Sequence, residues 1–515
     1  MENSRTKNSI YNFISSIGGQ FLNILLQFIV RTVFIKTLGE AYLGVTSLFS
    51  NILSMLSITE FGVGSAILFK LYQPIANHDE DRICSLMQFY KTVYRVIGFI
   101  VIIIGFILIP FLPVLIKDYD SLEKLNINAI FVFAIFLFRS AASYLFFAYK
   151  NALIKANQKE YLITVVGYFV HVISSILQIV CLLVFKNFYS YVIISVVQVI
   201  FANLVYAHIC NKMYPYVNKP VKNKVSKEEA TGIFKDCAAI FLYNLNEIVL
   251  KATDNIVLSA FTGLTTVALY SNYYIFYTTI STLFSQIFNS VAHSLGNLHT
   301  DKNKEHEYLI FETMMLITSI VGGTAAVGIG IVADEFITCW IGESWVISAP
   351  FSILLGIELY TLAVNKVLEK YRTTMGLFQK AKWRPVAGMI INLAVSIVLV
   401  QVWGICGVLV GTIVSEWLTL MWYDPIIIYR YGFRNNKSVL RYFKMMFKFV
   451  LEILIVALID TWLCRFILVD FGYISVIAHT FICVCSVPGV MLFLSRNKEG
   501  KLLINLFNCI ITRKH

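Results

Sequence analysis

Charge is what this sequence has least of. Asp, Glu, Lys and Arg make up 14% of its 515 residues, where an ordinary globular chain carries about 25%. That is too little to coat a folded surface in water. A soluble protein is thereby excluded, and the 58% of apolar residues mark a polytopic, all-α membrane protein. Metal-binding patterns are missing as well. The ten cysteines include no CxxC and no Cys/His cluster at zinc spacing, and His171, His208, His293 and His479 stand alone on apolar stretches. The closest pair, Cys483 and Cys485, sits inside an apolar run, so the cysteines read as small core hydrophobes. No phosphate-cradling glycine loop, nucleophile elbow or metal motif occurs, which argues against ATP hydrolysis in this chain and points away from an enzyme or a cofactor.

What is present is an excess of cations, 42 Lys and Arg against 30 Asp and Glu, for a net charge of +12. Such an excess could serve nucleic acid, anionic lipid or cytoplasmic loops, and its placement decides. Apolar runs give fourteen segments, near 10–35, 43–69, 88–116, 127–149, 160–185, 188–211, 236–260, 265–297, 308–333, 347–371, 385–402, 404–428, 443–464 and 471–494. Twelve or thirteen spans stay open, because 385–402 and 404–428 are nearly continuous and 265–297 is polar. The first segment follows Arg5 and Lys7, is too long for a signal-peptide core and reads as a retained helix.

With the amino terminus in the cytoplasm, 34 of the 42 cations fall on the cytoplasmic side of these segments. Five (Lys36, Lys117, Lys124, Lys186 and Arg465) fall on the other side, and three (Arg31, Arg139 and Lys251) lie inside the helices. This split places both termini in the cytoplasm and leaves no basic surface for nucleic acid. The largest outer loop is expected around Asp334 to Ser348. The lysine- and proline-bearing stretch 212–235 separates a six-helix bundle at 1–211 from a second at 236–430. Residues 431–515 then add two helices and a cytoplasmic tail.

An internal repeat underlies the two bundles. An offset of 224 lays KTLGEAYLGVTSLF (36–49) over AFTGLTTVALYSNY (260–273), pairing Gly39 with Gly263 and Ser47 with Ser271. It also pairs Gln20 with Asn244, Asn23 with Glu247, Gln27 with Lys251 and Arg31 with Asn255. An offset of 222 pairs Tyr149 and Lys150 with Tyr371 and Arg372. Six helices per half relate the halves by an axis along the membrane normal.

The first helix carries Gln20, Asn23, Gln27 and Arg31 on one face, and the seventh repeats that face with Asn244, Lys251 and Asn255. The eighth adds Asn272, Gln286 and Asn289, with Tyr273 and Tyr277 nearby. These amides suit a sugar-lined cavity between the halves; the structural alternative is interhelical bridging. Arg31, Lys251 and Arg139 at depth favour an anion such as a diphosphate. Lys251 also has Glu247 and Asp254 within its own helix, Glu60 could reach Arg31, and either arginine could instead snorkel to an interface. Glu60, Glu247 and Asp254, with Glu358 and Glu416, are the acids available for a coupling ion, against structural pairing.

The run FIKTLGEAYLGVTSLFSNILSMLSITEFGVGSAILFKLYQPIA (34–76), with KATDNIVLSAFTG (251–263) and SLGNL (294–298), resembles the Wzx-type oligosaccharide-repeat-unit flippases of the multidrug/oligosaccharidyl-lipid/polysaccharide superfamily. The resemblance spans essentially the whole chain through loose patterns of Gly, Leu and charge. It implies two MATE-like six-helix bundles, a carboxyl-terminal helix pair and a multi-pass protein of the bacterial cytoplasmic membrane. It implies further that an undecaprenyl-diphosphate-linked oligosaccharide is moved to the outer leaflet, beside polysaccharide polymerase and chain-length partners. The family's cationic cavity positions carry over to Arg31 and Lys251, and less directly to Arg139. A drug exporter of the same fold would favour carboxylates where the first helix offers Arg31, and a membrane polymerase would need cationic outer loops.

Overall fold

Hydrocarbon supplies no hydrogen bonds, so a chain this apolar must satisfy its backbone within each segment, and the helix is the open form that does so. The computed structural model describes residues 2–56, 63–117, 119–120, 122, 127–219, 225–300, 304–381, 383–433, 438–467 and 472–494. Side chains at 2–17, 63, 65–66, 235–252, 287–300, 304, 306 and 378–379 lie outside that description. All regular structure among the described residues is helical. The longer helices are α1 (Glu2–Leu38), α2 (Glu40–Leu56), α3 (Val63–Ala76), α4 (Glu80–Leu108), α5 (Ala129–Leu145), α6 (Glu160–Phe185) and α7 (Phe188–Met213). They continue as α8 (Lys227–Thr262), α9 (Leu264–Thr300), α10 (Lys304–Ile341), α11 (Ala349–Thr374), α12 (Arg384–Thr419), α13 (Val439–Cys464) and α14 (Tyr473–Leu494). By length and hydropathy, eight described stretches could cross a membrane, or nine if the bent pair Ala129–Leu145 and Ala148–Ala156 forms one span.

The expected segments fall on helix, and three places add detail. The run 43–69 is two helices, α2 and α3, and residues 57–62 between them lie outside the described ones. The near-continuous stretch after 385 is a tight hairpin within α12, turned at Gly404, whose φ of 55° and ψ of −128° suit a residue without a Cβ. Its arms approach so closely that Gly407 faces the Leu399 carbonyl and Gly411 the Ser396 backbone, while the Asn392 amide donates to Thr412 Oγ1 at 2.9 Å. Third, α10 runs on to Ile341, so Asp334 and Glu335 lie inside a helix rather than in an outer loop. The connection shrinks to Gly342–Ser348, with Trp345 buried in it.

The chain divides into two compact units, Met1–Ala268 and Leu269–His515. In the first, α7 packs against α5 and α6, α6 against α1, α4 against α3 and α5, and α8 against α2 and α3. The start of the connection after α7 docks on α4, where Cys84 donates to the Tyr216 carbonyl, Arg82 pairs with Glu229 and Lys219 donates to Glu80 at 3.0 Å. Its hydrogen bond to Glu80 holds the Lys219 ammonium above the usual lysine value. In the second unit, α10 packs against α11, α13 and α14, and α11 against α12. Polarity is inverted relative to a soluble protein. Phe169, Val184, Phe447 and Leu458 face outward, whereas Asn203, Asn392, Thr412 and Asp460 are buried.

Close helix approach in lipid depends on small residues. A Cβ on Gly356 of α11 would stand 2.4 Å from the Ala326 carbonyl oxygen of α10, a backbone atom that cannot step aside. Gly356→Val is expected to destabilise the second unit by roughly 1–3 kcal/mol, seen as a lowered thermal midpoint of purified protein. Gly328→Ala, where a Cβ meets nothing within 4 Å, should leave that midpoint in place.

Candidate functional site

In the first unit, two of the three cations expected at depth come to one place. Arg31 lies about two turns before the end of α1 and Arg139 about three turns into α5. Both side chains are half-buried, and both lie within electrostatic reach of the Tyr191 hydroxyl, in the first turn of α7. The local sequence explains the placement. Phe34, three residues past Arg31 and buried, sets its ring edge-on to Tyr191 at 4.8 Å and to Phe188 at 6.2 Å. Gln178 of α6 donates to the Tyr191 carbonyl at 3.3 Å, and Asn187 caps α7 by accepting from Ser190 N. The arrangement offers guanidinium N–H groups and a phenol to one oxygen-rich anion, with arginine able to present paired donors.

The sequence singles out both arginines but not Tyr191, whose phenol carries no periodic or charge signal. On the α1 face, Gln20 and Asn23 are half-buried and Gln27 is exposed. Asn255 and Asp254 of α8 are buried, as is Asn272 of α9, while Gln286 is half-buried. Glu60 lies outside the described residues, and so do the side chains of Lys251, Asn244, Glu247 and Asn289. Tyr273 is fully buried against Phe351, and its hydroxyl donates to Asp334 at 2.6 Å. Ser352 donates to the same Asp334 oxygen at 2.6 Å. Glu358 and Glu416 lie within electrostatic reach of the buried Tyr277 hydroxyl, and Glu416 accepts from Asn365 at 3.4 Å.

Two cations that look like loop charges in the sequence are instead buried anchors. Lys150 donates to Asn211 in the last turn of α7 and to Asn218 at 3.2 Å, and lies 5.6 Å from the Phe147 ring centre. In the second unit Arg372 and Arg384 both donate to Asp424 Oδ2, at 2.5 and 2.8 Å, with all three side chains at most 9% exposed. Further acids enter the second unit's interior: Glu312 pairs with Arg441 at 2.7 Å, Glu452 with Lys448 at 3.5 Å, and Asp460 accepts from Ser486 at 2.5 Å. Among the described residues, no group of three or more His, Cys, Asp and Glu could hold a metal ion.

This all-helical, multi-pass membrane protein has a fold that solved lipid flippases and multidrug exporters also adopt. A solved structure of the lipid II flippase MurJ in an inward closed conformation matches with a TM-score of 0.70 at 13% identity, covering 95% of this chain and 99% of that one. An inward-facing multidrug resistance MATE family transporter of the MOP superfamily matches at 0.59 and 13% identity, covering 81% and 96%. The Vibrio cholerae MATE transporter VcmN matches at 0.53 and 15%, covering 84% and 99%. Within that fold the family is set by sequence. The chain belongs to the polysaccharide biosynthesis protein family, whose pattern matches residues 33–350. No curated protein sequence matches it significantly.

The Asp424 cluster should be the least tolerant charge in the second unit. Asp424→Ala leaves two buried guanidiniums without their shared counter-charge and is expected to cost roughly 3–5 kcal/mol, whereas Arg384→Ala keeps the Arg372 pair and should cost less. Denaturation midpoints of the two purified variants check the order.

Proposed function

We propose that this protein is a flippase that carries an undecaprenyl-diphosphate-linked oligosaccharide repeat unit from the inner to the outer leaflet of the bacterial cytoplasmic membrane. The product would feed capsule, exopolysaccharide or O-antigen synthesis, with polysaccharide polymerase and chain-length proteins as partners. The observation that carries this reading is the convergence of Arg31 and Arg139 on Tyr191 within a membrane-embedded unit. An ionisable side chain at depth is costly and marks a substrate path, and two guanidiniums at one place select an anion. Membership of a polysaccharide biosynthesis family supports the choice of anion.

In this mechanism Arg31, Arg139 and Lys251 hold the diphosphate. Gln20, Asn23, Gln27, Asn244, Asn255, Asn272, Gln286 and Asn289 meet the sugars, and the lipid tail stays in the bilayer. Two six-helix bundles, 1–211 and 236–430, joined by 212–235, rock to expose the site alternately to each side, with both termini cytoplasmic. An inside-negative potential assists outward movement of the anion by roughly 2.3 kcal/mol per charge per 100 mV. Glu60, Glu247 and Asp254 are the acids assigned to any coupling ion.

Arg31→Ala and Lys251→Ala are each expected to lower polysaccharide export roughly 10–100-fold, the worth of a charge-assisted contact, while the proteins still insert in the membrane. Lipid-linked repeat units should accumulate on the cytoplasmic leaflet. Full export by both variants would overturn the anion-site assignment, whereas a deletion that leaves the lipid pool unchanged but lowers efflux of cationic dyes would replace this reading with a drug exporter.

A further inference from the structure

The carboxyl-terminal pair α13–α14 stands outside the internal repeat, yet it carries a polar contact of unusual composition. His479 of α14 is buried between two oxygens, Glu335 Oε2 of α10 at 2.8 Å from Nδ1 and the Ile467 carbonyl at 2.7 Å from Nε2. A carbonyl accepts only, so Nε2 must carry a hydrogen. The neutral ring then has none left for Nδ1, which faces a carboxylate. A hydrogen bond can therefore form there only with one more proton, held either on Nδ1 as an imidazolium or on the Glu335 carboxyl. Without that proton, two lone pairs meet at a distance that suits a bond.

We infer that Glu335 and His479 form a one-proton binding site whose occupancy clasps α14 and the α13–α14 connection to α10. The surroundings leave the proton with this pair. On α10, the neighbouring Asp334 is turned to Tyr273 and Ser352, and Cys339 is engaged through its carbonyl by the Tyr473 hydroxyl at 3.0 Å. On α13, Asp460 accepts from Ser486, and Cys464 lies within electrostatic reach of Asp460 and Glu335. Arg465, at the end of α13, is exposed, and Cys483 on α14 is a buried free thiol. Among the described residues no cation is paired with Glu335 other than His479 itself. The clasp lies beside an apolar cleft of about 590 Å³ lined by Val476, Thr480, Cys483, Val484 and Pro488 of α14, together with residues of α9 and α10.

Release of the proton to water replaces an attraction by a repulsion, so the clasp's contribution is present at low pH and lost as pH rises. The test is the thermal midpoint of the purified full-length protein in detergent, followed from about pH 5.5 to about pH 9. The wild type should lose roughly 2 °C or more toward the alkaline end. Glu335→Gln can donate its amide to Nδ1 while Nε2–H keeps Ile467, a clasp that needs no proton, so its curve should lack this loss and cross above the wild type at alkaline pH. His479→Gln, which removes the titrating ring, should also lack the wild-type slope. Wild-type pH dependence retained in either variant would overturn the inference.

Discussion

Lipid tails cannot solvate a charge, and the arrangement of this protein follows from where each charge finds relief. In the first unit the described acids gather at helix starts, Glu80 and Asp81 on α4, Glu160 on α6, Glu228 and Glu229 on α8, where free backbone N–H groups favour negative charge. Asp254 is the buried exception among them. The cations Arg31 and Arg139 go the other way, into the helices, and both lie within electrostatic reach of the Tyr191 phenol. In the second unit the pattern reverses: Glu312, Glu358, Asp424, Glu452 and Asp460 are buried. The second unit also buries Arg372 and Arg384, but the two share Asp424, so acids are its larger buried set.

Burial of acids in the second unit is tolerated mostly through contacts that reach across the sequence, Glu452 with Lys448 being the local exception. Asp424 draws on Arg372 and Arg384, Glu312 on Arg441, and Asp334 on Tyr273 and Ser352. Such pairs add little net stability relative to a well-packed apolar alternative, since desolvation offsets most of the attraction. What they do supply is register: a carboxylate gripped by two donors fixes the rotation and depth of its helix, which apolar packing against lipid leaves loose.

That distance in sequence also explains what could be read in advance. Helix positions were legible because apolar runs of about 20 residues are a local signal. The turn at Gly404 was legible only as a division between 385–402 and 404–428, since one residue turns the chain between two apolar arms and leaves no polar break. Asp334 and Glu335 read as a loop because an acid ends an apolar run, and the partners that let them stay in α10 are supplied by α9, α11 and α14. Lys150 and Arg372 counted as topology for the same reason. Arg31 and Arg139 were legible as cations without a local role, whereas Tyr191 was invisible among 28 tyrosines.

Lys150 and Arg372 also bear on the internal repeat expected from the sequence. An offset of 222 pairs Lys150 with Arg372, and each reaches beyond its own helix end: Lys150 to the last turn of α7, Arg372 to Asp424 just past α12. The ammonium, a compact point charge, is satisfied by two amide oxygens and a ring face, whereas the guanidinium takes a carboxylate and shares it with Arg384. At the offset of 224, Gly39 and Gly263 each form a single-residue break between long helices, with φ of 92° and 97°. A left-handed break admits little but glycine, so identity persists there. An anchoring cation can be rebuilt from different donors and acceptors, so at that point the repeat keeps the position and charge while the residues drift. Of the two offset pairs, the glycines match in backbone geometry and the cations in charge alone.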